Sequence, residues 1–182
     1  MITKKAWFVL AATLWLFSVL CRPAWADTGL GQRHFTVVAV SDAGVGEGIH
    51  HRMALNGDGK FGPKHVEGGG TFVLFNDAPD GTPKPILGFG RWKAKKCVSY
   101  TNVAGSYGPI IASILELEVD LIIEFPAPEV VPGTLRLVCN VDPAGLTTGE
   151  PEGFTLTITN SGEVFLPAVP AVGLTHIGAA GD

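Results

Sequence analysis

The stretch that decides the fold runs from Ile110 to Phe125 and reads IIASILELEVDLIIEF. Along most of it, apolar side chains occupy the odd-numbered positions and the carboxylates fall at even-numbered ones. Because successive side chains of a β-strand point to opposite faces, this period of two predicts a long strand with one buried face. The same residues wound into a helix would scatter their carboxylates around the helix axis.

The preceding run, residues 90–100, carries the complementary charges and reads GRWKAKKCVSY. Between the two runs lies Gly105-Ser106, a dipeptide typical of two-residue hairpin turns. A turn there predicts an antiparallel hairpin with a ladder of opposite charges on its solvent face. The predicted pairs are Arg91 with Asp120, Lys93 with Glu118, and Lys95 with Glu116. We expect a structural surface feature rather than a site for an anionic partner, with a longer loop as the alternative because of Pro109.

Glycine and proline mark the remainder of the chain, with 24 Gly and 13 Pro among 182 residues. Both residues break helices, so a coiled coil or a helix bundle is excluded. Runs of alternating or β-branched residues lie between clusters of Gly, Pro, Asn and Asp, as strands do. The sequence therefore predicts an all-β fold. The expected architecture is an antiparallel β-sandwich of about eight strands, and a closed β-barrel is the alternative.

Three segments are predicted to be turns or loops. Asn56-Gly57-Asp58-Gly59 is a strong hairpin-turn signal between predicted strands at residues 50–55 and 61–66. Residues 42–48 are rich in glycine, and residues 77–85 contain three prolines and a glycine. Because loops on a β scaffold often carry recognition, these last two segments are the predicted contact surfaces.

The first 26 residues have the three parts of a secretory signal. Lys4 and Lys5 precede an apolar run at residues 6–20, and Ala24-Trp25-Ala26 is a small-x-small cleavage site. Cleavage predicts a secreted or periplasmic protein with one domain, residues 27–182, and no further membrane-spanning segment. That product would hold ten cations against 17 carboxylates, a net charge of −7, which argues against nucleic-acid binding.

Two cysteines, Cys97 and Cys139, remain after the predicted cleavage. In an oxidising compartment such a pair suggests one disulfide, and two separate thiols are the alternative. Simple alternation places Cys97 on the same face as Lys95 but Cys139 on the apolar face with Leu137. A disulfide would therefore need a bulge or an edge position at one of the two.

Few residues of the sequence indicate metal binding or catalysis. His51, Met53 and His65 are candidate copper ligands, because His51 and Met53 share a face and His65 lies on the next predicted strand. Ordinary strand residues explain them better, so we predict no metal and no cofactor. No serine of the predicted mature chain lies in a Gly-x-Ser-x-Gly motif, so no catalytic residue is predicted.

The function expected from the sequence is that of a secreted or periplasmic, non-catalytic binding or structural surface module. Its partner would be an extracellular or envelope ligand or protein that the sequence does not identify. One alternative is a β-barrel that holds a small apolar ligand. The residues that would line its cavity are Phe72, Phe75, Phe89 and Trp92. A second alternative is a metal-dependent or hydrolytic enzyme without a recognisable motif.

Overall fold

The computed structural model describes residues 31–42, 51–63, 65–76, 85–141 and 147–179, which contain strands and turns but no helix. The predicted all-β antiparallel class is confirmed. The strands are β1 (Arg33–Ser41), β2 (His51–Gly62), β3 (His65–Asn76), β4 (Ile86–Tyr107), β5 (Ile110–Phe125), β6 (Glu129–Cys139), β7 (Gly153–Ile158), β8 (Val164–Phe165) and β9 (Pro167–Ala179). The predicted signal peptide, residues 1–26, lies outside the described residues, as do residues 43–48 and 77–84 of the predicted loops.

The strands form one antiparallel sheet in which β1 to β8 pair in chain order. The last strand, β9, returns to pair along β1, and a single bridge joins its Gly178 to Ile110 of β5. Strands β1 to β5 together with β9 therefore close a circuit of six strands. The remaining strands continue from the same edge of β5 that carries the bridge to β9, because β6 pairs there with residues 113–123.

The core lies inside this circuit and under β6 to β8. Alternate residues of each long strand point inward, as in β5, where Leu115 and Leu117 are fully buried. Phenylalanine supplies the largest fully buried side chains, which are Phe35, Phe61, Phe154 and Phe165. Burial of this apolar surface provides the main driving force for the fold.

The predicted turn at Asn56-Gly57-Asp58-Gly59 is wrong, because β2 continues through it and pairs with β3 along its whole length. A β-carbon at Gly57 would lie 2.5 Å from Cζ2 of Trp92, and one at Gly59 would lie 2.6 Å from Cζ of Phe35. Glycine thus leaves room for the two rings to lie against the backbone of β2. The indole Nε1 of Trp92 also donates a 2.8 Å hydrogen bond to the carbonyl oxygen of Asn56.

The predicted hairpin of β4 and β5 is present, but its turn lies at Gly108-Pro109 rather than at Gly105-Ser106. Gly108 has a φ of +59° and proline fixes the φ of the next residue, which suits a two-residue turn that begins with glycine. The later turn shifts the register. Irregularities between Asn102 and Ser106, between Cys97 and Ser99, and between Ala94 and Lys96 shift it partly back toward the predicted one. Alternation alone does not indicate where such bulges fall.

Candidate functional site

A ladder of ion pairs does cover the outer face of β4 and β5, but each predicted pair is wrong. The register places Ile122 opposite Arg91, Asp120 opposite Lys93, and Glu118 opposite Lys96. The observed pairs on these two strands are Arg91 with Glu124 at 2.7 Å, Lys95 with Asp120 at 3.2 Å, and Lys96 with Glu118 at 3.2 Å. These side chains are mostly exposed, so each pair adds little to stability.

Glu116, the predicted partner of Lys95, instead lies 3.4 Å from Arg136 of β6. Arg136 also contacts Glu150 at 2.7 Å, so one guanidinium joins two carboxylates. The hydrogen bonds that Arg136 donates to Glu150 raise the pKa of the guanidinium, and burial partly opposes this effect. The arrangement fixes the segment around Glu150 against β6.

The two predicted disulfide partners, Cys97 and Cys139, are both free thiols. On β5, Cys97 lies opposite Leu117 and Cys139 lies opposite Ser113, so the cysteines are two strands apart and four residues out of step. In a regular sheet this offset corresponds to roughly 16 Å, far beyond the Cα separation of about 7 Å that a disulfide allows. Burial raises the pKa of Cys97 to about 12 and that of Cys139 to about 11.

The three candidate metal ligands do not lie together. His51 pairs with Asn76 at one end of the β2–β3 hairpin, and His65 pairs with Gly62 at the other. His51 and Gly62, the β2 residues at these two ends, are eleven positions apart, roughly 35 Å along an extended chain. Met53 is buried in the core, and His51 lies 3.3 Å from a carboxylate oxygen of Glu163. Across the described ranges, no group of three or more His, Cys, Asp or Glu side chains can hold a metal ion.

The four aromatic residues proposed to line a ligand cavity do not lie together either. Phe72 and Trp92 are buried in the packed core. Phe89 is 42% exposed on the outer face, where its ring stacks on that of Phe125 with centroids 5.6 Å apart. The four side chains therefore do not line one internal cavity.

The structure instead reveals a row of apolar side chains on the outside of the circuit, which we call the apolar band. Its members are Cα partners on successive strands, one from each of β9, β1, β2, β3, β4 and β5. They are Val172, Val40, Ala54, Val73, Phe89 and Phe125. The strand neighbours Ala39, Met53, Leu55 and Phe72 are buried, which places Val40, Ala54 and Val73 on the outer face. The other three members, Val172, Phe89 and Phe125, are themselves 48%, 42% and 44% exposed.

Further exposed apolar side chains widen the apolar band on both sides. Val38 and Leu174 lie opposite each other on β1 and β9 and are 57% and 50% exposed. Ile86, at the start of β4, is 57% exposed. A shallow groove of about 230 Å³ runs across this surface between β9 and β3. Contiguous exposed apolar surface of this kind marks an interaction site more often than a plain solvent face.

A second unexplained feature lies inside the circuit at its opposite end. Arg33 of β1 is in phase with the buried residues Phe35 and Val37, and its Cζ lies 5.2 Å from the centroid of the Tyr100 ring. Burial raises the pKa of the Tyr100 phenol, while the charge of Arg33 lowers it. Arg33 was not among the residues predicted from the sequence, although a cation at an inward position of an alternating strand can be recognised there.

Comparisons with known proteins returned no match to a family model, a curated protein or a solved structure. Within the described residues, the chain has no helix that is both long and apolar enough to span a membrane.

Proposed function

We propose that this chain is a non-catalytic binding or structural surface module, and that the apolar band is its contact surface. One observation carries the proposal: six outward side chains in register on six strands are all apolar. Water contact with such a surface is unfavourable, and covering it recovers about 25 cal/mol for each Å² of apolar area buried. A partner that covers the band is therefore stabilised by association.

The distribution of charge also supports the apolar band as the contact surface. Further along the same two strands, β4 and β5, the outer face carries the paired charges of Lys95 with Asp120 and Lys96 with Glu118. These charges are satisfied within the chain and leave little electrostatic attraction for a partner. The aligned apolar side chains of the band lie at one end of the circuit, so that end offers the stronger contact.

The described residues next to the two predicted contact segments lie close in sequence to the apolar band. The described residue that enters the first loop is Asp42, two residues after Val40. The described residue that leaves the second is Pro85, which precedes Ile86. We propose that residues 42–48 and 77–85 add polar contacts at the border of the apolar surface, which would give the association its specificity.

The proposed compartment is the cell envelope or the extracellular space, because residues 1–26 have the pattern of a cleaved signal. The partner would then be an envelope or extracellular protein or ligand. The net charge of −7 for residues 27–182 makes a nucleic acid an unsuitable partner, because phosphates would be repelled.

Photo-cross-linking tests the proposal. A photoreactive phenylalanine is placed at Val172 in the apolar band and, as the matched control, at Glu118 on the charged face of the full chain in its own cells. We expect irradiation to produce protein adducts from the Val172 variant and none from the Glu118 variant. Equal labelling at the two positions, or no adduct at Val172 while the chain is folded, would contradict a contact role for the band.

A further inference from the structure

We infer that Arg33 is the centre of a binding site for an oxyanion, a carboxylate or phosphate group, at the end of the strand circuit opposite the apolar band. Val40 of the band lies seven positions after Arg33 on β1, roughly 23 Å along an extended chain. The inferred site is thus distinct from the contact surface proposed above, and either can fail without the other.

The side chain of Arg33 points into the circuit. Strands β1 and β4 are not neighbours in the sheet, since β2 and β3 lie between them. A guanidinium of β1 whose Cζ lies 5.2 Å from the Tyr100 ring of β4 must therefore reach across the interior. The Tyr100 ring packs in turn on Phe61, with centroids 5.2 Å apart. The cation thus lies against aromatic surface, where the water that would solvate it is partly excluded.

Arg33 differs from the other described arginines in lacking a counter-ion. Arg52, Arg91 and Arg136 lie 3.8, 2.7 and 2.7 Å from carboxylate oxygens. Among the residues that the structure describes, Arg33 has no ion-pair partner, and its Nε is buried without a hydrogen-bond partner. A cation removed from water without a partner is costly, and a bound anion would offset that cost.

The shape of the guanidinium group indicates which class of ligand Arg33 would bind. A guanidinium presents its N–H donors in a planar fork that matches the oxygens of a carboxylate or phosphate. Arg33 is only half-buried, and the residue opposite it on β9 is Ala179, which is small and exposed. A small oxyanion can therefore approach the two terminal amino groups of the guanidinium from solvent at this end, while Nε stays buried against the aromatic surface.

Titration of the folded chain with inorganic phosphate and, separately, with acetate tests the inference. The readouts are the midpoint of thermal unfolding and the NMR signal of the Arg33 Nε–H group, with sodium chloride at matched ionic strength as the reference. We expect phosphate, acetate or both to raise the midpoint by about 3 °C or more at saturation and to move the Nε–H signal. A response to one salt alone would assign the site to that class of anion.

The matched variants are Arg33→Gln and Lys93→Gln. Lys93 is an exposed cation of the outer face, so its removal lowers the net charge equally without touching the interior. We expect the anion response to vanish in Arg33→Gln and to persist in Lys93→Gln. If Arg33→Gln does not fold, the wild-type Nε–H signal decides the question. An unmoved signal, or a response to chloride as large as that to the oxyanions, would overturn the inference.

Discussion

The two large hairpins of this protein differ in the residues that face the core. In β2 and β3, glycines on the inner face leave space that the rings of Phe35 and Trp92 occupy. In β4 and β5, apolar side chains fill the inner face and paired charges cover the outer one. A strand can therefore be fixed in the sheet by glycines that leave room for neighbouring rings, as well as by alternating apolar and polar side chains. In the first hairpin, the residues that determine packing lie on other strands.

The largest expected effect comes from filling the space in the first hairpin. A β-carbon at Gly57 would lie 2.5 Å from both the carbonyl oxygen of Gly69 and the ring of Trp92. We therefore expect Gly57→Val to lower the free energy of unfolding by about 3 kcal/mol or more, as overpacking does. Chemical denaturation measures the loss. Gly31→Val is the control, because nothing lies within 4 Å of that position. A tolerated Gly57→Val would contradict the close approach of the ring.

A second prediction tests the bulge that turns Cys97 inward in the second hairpin. Burial holds the pKa of this thiol at about 12, so the reactive thiolate is scarce near neutral pH and grows more abundant as the pH rises towards that value. We expect Cys97 to react with a thiol reagent at pH 8 about 100-fold or more slowly in the folded chain than in denaturant. Mass spectrometry of the labelled peptide follows Cys97 separately from Cys139. Fast labelling in the folded state would place Cys97 on the outer face.

The smallest effect should come from the charges of the second hairpin. Lys96 and Glu118 are 64% and 50% exposed, and their atoms lie 3.2 Å apart. We expect Lys96→Gln to cost about 0.5 kcal/mol or less, and the cost to shrink as salt is added. Lys93→Gln serves as the reference for loss of a charge. A cost above about 2 kcal/mol for Lys96→Gln would mean that the ladder carries more stability than its exposure allows.

The parts of the fold that sequence could predict are those set by local alternation. The inner and outer faces of most of β5 follow from its residues alone, and so does its hairpin with β4. Phe125 is the exception: alternation predicts it on the inner face, but an irregularity beside Phe89 places it outside, stacked on the Phe89 ring. The turn and the register of that hairpin were not predictable, because Gly108-Pro109 and Gly105-Ser106 are both acceptable turns. The bulges that bring Cys97 inward leave no local mark in the sequence.

The failure at Asn56-Gly57-Asp58-Gly59 has a different cause. Turn propensity is a local property, whereas the space at Gly57 and Gly59 is required by Trp92 and Phe35, which are distant in the chain. A glycine in a strand and a glycine in a turn therefore look alike until the ring that needs the space is known.

The candidate sites were only partly predictable for the same reason. The apolar band joins single residues from six strands, and their alignment depends on the full strand order and on five registers. Arg33 could have been singled out by its phase with Phe35 and Val37. Its lack of a carboxylate partner appears only when the strands are assembled.

The central claim is that β2 and β3 run unbroken through their glycines, because the alignment of Ala54 with Val73 in the apolar band depends on it. Cross-strand NMR contacts between α-protons test this most directly. We predict contacts between residues 56–59 and 68–71 at alternate pairs, as expected of antiparallel strands whose α-carbons approach to about 4.5 Å. Contacts between Leu55 and Lys60 instead, as across a tight turn, would contradict the continuous strand and with it the aligned apolar band.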